Sequence, residues 1–158
     1  MKPTIILTLL TVSTAIANAA VTKEIALEDV PPEIMDEAEA TAPGLEFYRV
    51  TVEEENGKLV YEFEAKGPNG KHMEIDISED GSLEEIEMET AEAELPTTVR
   101  TALDRRYPGF VIDYVETSVR GDGRFIYEIE GRNARGERLA LDIEETGEIL
   151  NEEDSAVS

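Results

Sequence analysis

The chain repeats itself, and this internal duplication constrains the fold more than any other feature of the sequence. Residues 29–52 align with residues 94–117 at an offset of 65, and residues 60–83 align with residues 126–149 at an offset of 66. The aligned residues include Pro31 with Pro96, Pro43-Gly44 with Pro108-Gly109, Val50 with Val115, Tyr61-Glu62 with Tyr127-Glu128, Gly70 with Gly136, Asp76-Ile77 with Asp142-Ile143, and Gly81 with Gly147. A duplication of this length predicts two similar structural units.

Each copy begins with a helical pattern and continues with strand patterns. Apolar residues such as Leu95, Val99 and Leu103 recur at helical spacing, and a Pro-Gly pair follows them. Alternating segments such as YEFE and YEIE then predict antiparallel strands that are separated by turns. We therefore expect an α+β fold of two tandem repeats, each a helix packed on an antiparallel sheet of about four strands. The two sheets can join at their edges into one longer sheet.

The domain boundaries follow from the duplication. We expect a lead-in at residues 20–28, a first repeat at 29–89, a linker at 90–93, a second repeat at 94–153 and a frayed tail at 154–158. The linker has no flexible Gly/Ser run, so we expect a rigid connection between the repeats.

Residues 1–19 have the features of a secretory signal peptide. A lysine precedes an apolar segment, and the small residues Ala17-Asn18-Ala19 form a cleavage site. The apolar segment at 5–16 is shorter than the ~20 residues that a membrane-spanning helix needs. We therefore predict cleavage and a secreted or periplasmic protein without membrane insertion.

The net charge of −23 argues against nucleic acid and anionic membranes as partners, because like charges repel. The same charge would attract a basic protein or a cation. Adaptation to a salty habitat would select this acidity with no partner at all.

The repeated order of helix, Pro-Gly, YEFE or YEIE strand, and EIDISEDGSL or ALDIEETGEI hairpin resembles the PepSY and PepSY-like family. Tandem copies in an exported protein resemble the arrangement of the secreted beta-lactamase inhibitory protein fold. The resemblance covers residues 25–153 and implies a small extracytoplasmic module without enzymatic activity, whose relatives accompany peptidases as inhibitory propeptide segments. No set of inhibitory residues carries over from the family.

Residues 76–87 come close to the spacing of a twelve-residue calcium loop. Asp76, Ser78, Asp80 and Glu87 would supply oxygen ligands in that interpretation. The flanking residues alternate as strands, however, and Asp-Gly is a residue pair typical of a hairpin turn. We favour the turn and keep a weak cation site as the alternative.

Candidate catalytic groups are sparse. His72 is the single histidine and the chain has no cysteine, which disfavours a zinc or redox-metal site. His72 begins a strand, where we expect it to be exposed to solvent. Phosphate-binding glycine motifs are also missing from the sequence, so we expect no enzyme activity and no cofactor.

Arginine and apolar residues on the outward face of the sheet are the candidate partner-binding groups. Strand alternation places this face opposite the core residues Tyr127 and Leu141. The candidates are Val60, Arg124, Ile126, Arg132, Arg135 and Arg138. Arginines anchor many protein interfaces, although a solvated sheet with Arg–Glu pairs explains these residues as well.

These observations predict an exported, non-catalytic binding module that inhibits or regulates a peptidase or another exported protein by steric docking. The alternative is an acidic calcium-binding module of the cell envelope.

Overall fold

The computed structural model describes residues 22–55 and 57–154. Within them, two α-helices, α1 (Pro32–Thr41) and α2 (Thr97–Arg106), accompany nine strands. The strands are β1 (Lys23–Ile25), β2 (Phe47–Glu55), β3 (Lys58–Lys66), β4 (His72–Ser78), β5 (Leu83–Glu89), β6 (Val111–Arg120), β7 (Phe125–Arg132), β8 (Arg138–Glu144) and β9 (Ile149–Asp154). The predicted signal peptide at 1–19 and residues 155–158 of the predicted tail lie outside the described residues, whereas Asp154 is the last residue of β9.

The described strands form one antiparallel sheet whose order follows the sequence from β1 to β9. Helix α1 precedes β2 to β5, and helix α2 precedes β6 to β9. Strands β5 and β6 pair across the predicted linker, from Glu85 opposite Arg120 to Glu89 opposite Glu116. The predicted α+β class is confirmed, and the sheet is open, with β1 and β9 at its edges.

Proline and glycine define the ends of both helices. Pro31 and Pro96 occupy the N-cap positions, where the missing amide proton of proline costs no helical hydrogen bond. After the helices, Gly44 and Gly109 have φ angles of +83° and +79°. This left-handed conformation ends a helix with little strain when the residue is glycine.

Both helices pack on the same face of the sheet and close two hydrophobic cores. Alternation along each strand points every second side chain toward the helices. The first core contains Val30, Ile34, Ala38, Ala42, Val50, Phe63, Ile75 and Ile77. The second core contains Leu95, Val99, Leu103, Val115, Tyr127, Ile129, Leu141 and Ile143. Apolar spacing in the sequence predicts most of these residues.

Strand β1 is the one described strand that the sequence does not predict. It has three residues, too few to show alternation, and it pairs with Val50 to Val52 of β2. The α-helices in the described part of the chain are ten residues long, and neither is long and apolar enough to cross a membrane.

Candidate functional site

The sheet face that points away from the helices carries an unusual number of carboxylates. Strand register aligns them across the sheet, because Glu62 lies opposite Asp76 and Asp76 lies opposite Glu85. Glu64, Glu74 and Glu87 form a second row in the same way. We define the acidic face as Glu62, Glu64, Glu74, Asp76, Glu85, Glu87, Glu116, Glu128 and Asp142, which lie on strands β3 to β8.

Two residues of the acidic face are buried although neither α-helix covers this face. Glu64 is 8% exposed and Glu85 is 7% exposed. Neighbouring strands in a sheet lie about 4.8 Å apart, so long side chains in adjacent rows shield one another from water. A buried carboxylate is costly unless it finds a partner or a proton.

Glu85, Glu87 and Glu128 form the most crowded part of the acidic face. Each offers a carboxylate oxygen, and these oxygens all lie within 4.8 Å of one another. Burial raises the pKa of Glu87, and the charges of Glu128 and Glu85 raise it further. Burial and the charge of Glu128 raise the pKa of Glu85 as well. The spacing would admit a cation, but beyond their acidity nothing about these three residues points to a bound ion.

Arg120 is the cation at the centre of the acidic face. Its guanidinium lies 2.5 Å from a Glu85 oxygen and 2.6 Å from a Glu128 oxygen. A third carboxylate, Asp142, lies 3.6 Å away. The hydroxyl of Ser118, which is fully buried, donates a hydrogen bond to Glu85. Arg120 therefore lies within ion-pair distance of three carboxylates. Its single positive charge cannot neutralise all of them.

His72 lies among the carboxylates at one end of β4. Its Nε2 is 3.3 Å from both Glu64 and Glu74, and its Nδ1 is 3.7 Å from Glu116. Burial lowers the pKa of His72, but the hydrogen bond with Glu64 and the charges of Glu74 and Glu116 outweigh this effect and raise it. The side chain is 28% exposed, so His72 is partly buried and less exposed than its position at the start of a strand predicts. Side chains of the neighbouring strands shield part of the ring.

Glu74 lies directly opposite Glu87 on the adjacent antiparallel strand. Burial raises the pKa of Glu74 to about 7, and the charges of Glu62 and Glu116 contribute to the shift. Burial also raises the pKa of Glu116, although the Tyr114 hydroxyl, which lies 2.8 Å away and donates to it, opposes the shift. The centre of the face therefore binds protons more readily than ordinary glutamates do.

Val60 and Ile126 are buried, at 6% and 2% exposure. Both lie on the outward face as predicted, but the prediction that they are accessible apolar groups is wrong. Val60 lies between Glu53 and Ser78 on the adjacent strands, and Ile126 lies between Ser118 and Glu144. Alternation along a strand predicts the direction in which a side chain points. It does not predict how far side chains on neighbouring strands bury it.

The four arginines proposed for partner binding are all paired with nearby carboxylates. The pairs are Arg124 with Asp122 at 2.7 Å, Arg132 with Asp113 at 3.1 Å, Arg135 with Glu137 at 2.7 Å, and Arg138 with Glu130 at 3.8 Å. The structure brings Arg132 and Arg138 together as opposite residues of β7 and β8. Arg124 lies at the other end of β7, and Arg135 lies in the β7–β8 connection.

The stretch with calcium-loop spacing is a hairpin turn between β4 and β5. The hydroxyl of Ser78 donates to Asp80 at 2.6 Å, and the backbone amide of Ser82 donates to the same oxygen at 3.0 Å. Gly81 has a φ of +83°, as the turn requires. Glu87 lies well along β5, opposite Glu74. The structure therefore does not gather Asp76, Ser78, Asp80 and Glu87 around one point.

Arg120, Glu85 and the environment of His72 are the features that sequence reasoning missed. Alternation indicates that Glu62 and Glu128 face outward. The crowding at Glu85 depends on the pairing of β5 with β6, which places Arg120 opposite Glu85 across 35 residues of chain. A local pattern carries no signal for such a distant pairing.

The PepSY family model, described as peptidase propeptide and YPEB domain, matches residues 11–78. The match confirms the resemblance that the sequence indicates. Strands β3 and β4 of the acidic face lie within the matched segment, and strands β5 to β8 follow it.

Solved structures from Bacteroides share the fold of this chain. A DUF2874 family protein from Bacteroides uniformis is 16% identical with a TM-score of 0.64, and the match covers 79% of this chain and 89% of that one. A BLIP-like protein from Bacteroides fragilis is 21% identical with a TM-score of 0.60, covering 82% and 90%. A candidate periplasmic protein from Bacteroides eggerthii is 14% identical with a TM-score of 0.64, covering 79% and 88%. No curated protein matches the chain at a significant level.

Proposed function

We propose that this chain is an exported, non-catalytic binding module that docks a protein partner on its acidic face. The observation that carries the proposal is the contrast between the two faces of one sheet. Helices α1 and α2 fill one face with apolar side chains. The other face presents the carboxylate rows of strands β3 to β8 without a covering α-helix in the described part of the chain.

Charge complementarity indicates the chemistry of the partner surface. The acidic face holds carboxylates in excess of its cations, and Arg120 and His72 already serve several of them. A surface rich in lysine or arginine would relieve this repulsion and would be steered toward the face. The docking that we propose is steric and involves no covalent step.

An exported peptidase is the partner class that the comparisons favour. The matching family is described as a peptidase propeptide, and one structural neighbour is described as BLIP-like. Export is supported by the predicted signal peptide at 1–19 and by the neighbour described as a candidate periplasmic protein. We propose that the chain inhibits or regulates such a peptidase by occupying its cleft.

We also propose that the acidic face was built by duplication of one unit, with repeats at 29–89 and 94–153 and a linker at 90–93. In support, each half has a helix followed by four strands. Pro31 and Pro96 hold the same helix-capping position in the two halves. The lead-in at 20–28 contributes β1 at the edge of the sheet.

The predicted arginine candidates take a secondary role in this proposal. Arg132 and Arg138 lie together near one end of the acidic face, where they would contact the rim of a docked partner. Exposed pairs such as Arg135 with Glu137 contribute little energy, so we do not place the docking energy in them.

Affinity capture with matched charge variants tests the proposal. The double variant Glu62→Gln/Glu128→Gln neutralises two carboxylates of the acidic face that occupy equivalent positions in the two repeats. The control, Glu37→Gln/Glu39→Gln, neutralises two exposed carboxylates of α1. We expect the mature wild-type chain and the α1 variant to retain a saturable exported partner and to inhibit its peptidase activity. The acidic-face variant should lose both, and equal behaviour of the two variants would overturn the proposal.

Calcium titration by calorimetry separates this function from the alternative of a calcium-binding module. The acidity of the chain is consistent with calcium binding. The predicted loop residues, however, do not lie around one point. We expect weak, diffuse heat from wild type and from Asp80→Ala alike. A stoichiometric micromolar heat that Asp80→Ala abolishes would establish the alternative instead.

A further inference from the structure

The carboxylates around Glu87 lie so close together that ionising all of them would cause strong electrostatic repulsion. Glu87 faces Glu74 directly across the β4–β5 ladder, and like charges in opposite positions of a sheet destabilise it. On its other side, Glu87 lies opposite Ser118, which brings no charge. Glu87 also forms a group with Glu85 and Glu128, in which one oxygen of each carboxylate lies within 4.8 Å of the others.

The charged surroundings of Glu87 are dominated by other acids. The groups that face it, or that share its region of the acidic face, are Glu62 and Glu64 on β3, His72, Glu74 and Asp76 on β4, Glu85 and Glu89 on β5, Glu116 and Arg120 on β6, Glu128 on β7 and Asp142 on β8. Arg120 pairs with Glu85, Glu128 and Asp142, and His72 approaches Glu64, Glu74 and Glu116. Among the described residues, Glu87 has no cationic side chain within 4.0 Å.

Two carboxyl groups at close range lower their repulsion by sharing a proton, because the neutral acid donates a hydrogen bond to the remaining carboxylate. We propose that the acidic face is a proton-responsive surface, in which Glu74, Glu85 and Glu87 hold protons near neutral pH and release them as the pH rises. The face therefore becomes more negative as the pH rises, and its attraction for a basic partner increases. This link to docking rests on the proposed function, whereas the proton binding does not.

The raised pKa values of these three carboxyls agree with the geometry. A carboxyl whose pKa is higher in the folded chain binds more protons when folded than when unfolded. Its contribution to stability is complete below the ordinary glutamate pKa and is lost as the pH rises through the folded value. For Glu74 this loss spans the range from about 4.5 to about 7, and His72, whose pKa is also raised, adds to the loss in the same direction.

Carbon-13 NMR of the glutamate carboxyls in the mature chain tests the proposal directly. The titration is done with a chelator present, so that no divalent cation competes with the protons. Glutamate in an unstructured peptide, with a pKa of about 4.3, is the reference. We expect Glu74, Glu85 and Glu87 to titrate at least about one pH unit above this reference. Midpoints equal to the reference for all three would overturn the proposal, whether or not a partner is ever found.

Matched glutamine variants give an independent readout. Glu87→Gln removes a crowded carboxyl, and Glu84→Gln removes the same formal charge from an exposed position of β5. We expect the wild-type urea midpoint to fall between about pH 5 and about pH 8. Glu87→Gln should reduce this fall and raise the midpoint at the higher pH, whereas Glu84→Gln should follow wild type. Identical pH profiles for the two variants would contradict proton binding at Glu87.

Discussion

The two faces of the sheet are made from alternate residues of the same strands, yet one face is apolar and the other is strongly acidic. On β3, Phe63 is fully buried beneath the α1 side of the sheet. Its neighbours Glu62 and Glu64 point to the acidic face, where Glu64 is also buried, at 8% exposure. One face removes apolar surface from water, and the other brings like charges together. Burial therefore has a different consequence on each face: on one face it stabilises the fold, and on the other it concentrates negative charge.

Substitutions on the face that the helices cover should lower the free energy of unfolding most. Phe63→Ala should destabilise the chain by about 4 kcal/mol, because it leaves a cavity where the ring contacts Phe47. Leu59→Ala on the same strand, at 39% exposure, is the matched control and should cost about 1 kcal/mol or less. Urea unfolding measures both. Similar losses would show that the helix-covered core is not closely packed.

Arg120→Ala tests the centre of the acidic face. Removing the guanidinium leaves Glu85 and Glu128 without their cation, and we expect a loss of about 3 kcal/mol at about pH 10, where Glu85 is ionised. This loss is somewhat below the upper range for buried pairs because Arg120 is 30% exposed. At about pH 7 the loss should shrink, because Glu85 then holds a proton and needs no cation. Unfolding curves at the two pH values check this. A loss in unfolding free energy that does not change with pH would show that Arg120 does not interact with carboxyls that bind protons.

The variant Ile126→Ala tests whether an apolar residue on the acidic face stabilises the fold or binds a partner. Because Ile126 is 2% exposed, we expect a loss of about 2 kcal/mol in unfolding free energy and unchanged partner affinity at a temperature where the variant is folded. Val111→Ala, at 60% exposure on the neighbouring strand, should cost less than about 1 kcal/mol. A partner that binds Ile126→Ala more weakly, without a change in stability, would restore the original docking interpretation of this residue.

The smallest effect is expected at the exposed arginines. Arg135→Ala breaks a pair with Glu137 in which the arginine is 77% exposed, and it should change stability by less than about 0.5 kcal/mol. Capture of the partner should also be unaffected, in contrast to the acidic-face variant. A marked loss of capture would move the docking surface toward the β7–β8 connection.

Most of the helix-covered face could be predicted from the sequence, because its signals are local. Apolar spacing places Ile34 and Val99 on the buried sides of the helices, and alternation places Phe63 and Ile129 in the cores. The acidic face is harder to predict, since its chemistry depends on which strands lie side by side. Alternation indicates the outward direction of Glu62, but the crowding of Glu87 requires the register of β4, β5 and β6.

We propose that the acidic face, and not acidity in general, attracts a cationic partner. Helix α1 provides the internal comparison, because it also carries exposed carboxylates, among them Glu33 and Glu37. Amide NMR during titration with a lysine-rich peptide distinguishes the two surfaces. We expect saturable shifts that cluster on β4 to β7 and grow as the pH rises from about 6 to about 8. Shifts centred on α1, or spread evenly over all acidic residues, would contradict the claim.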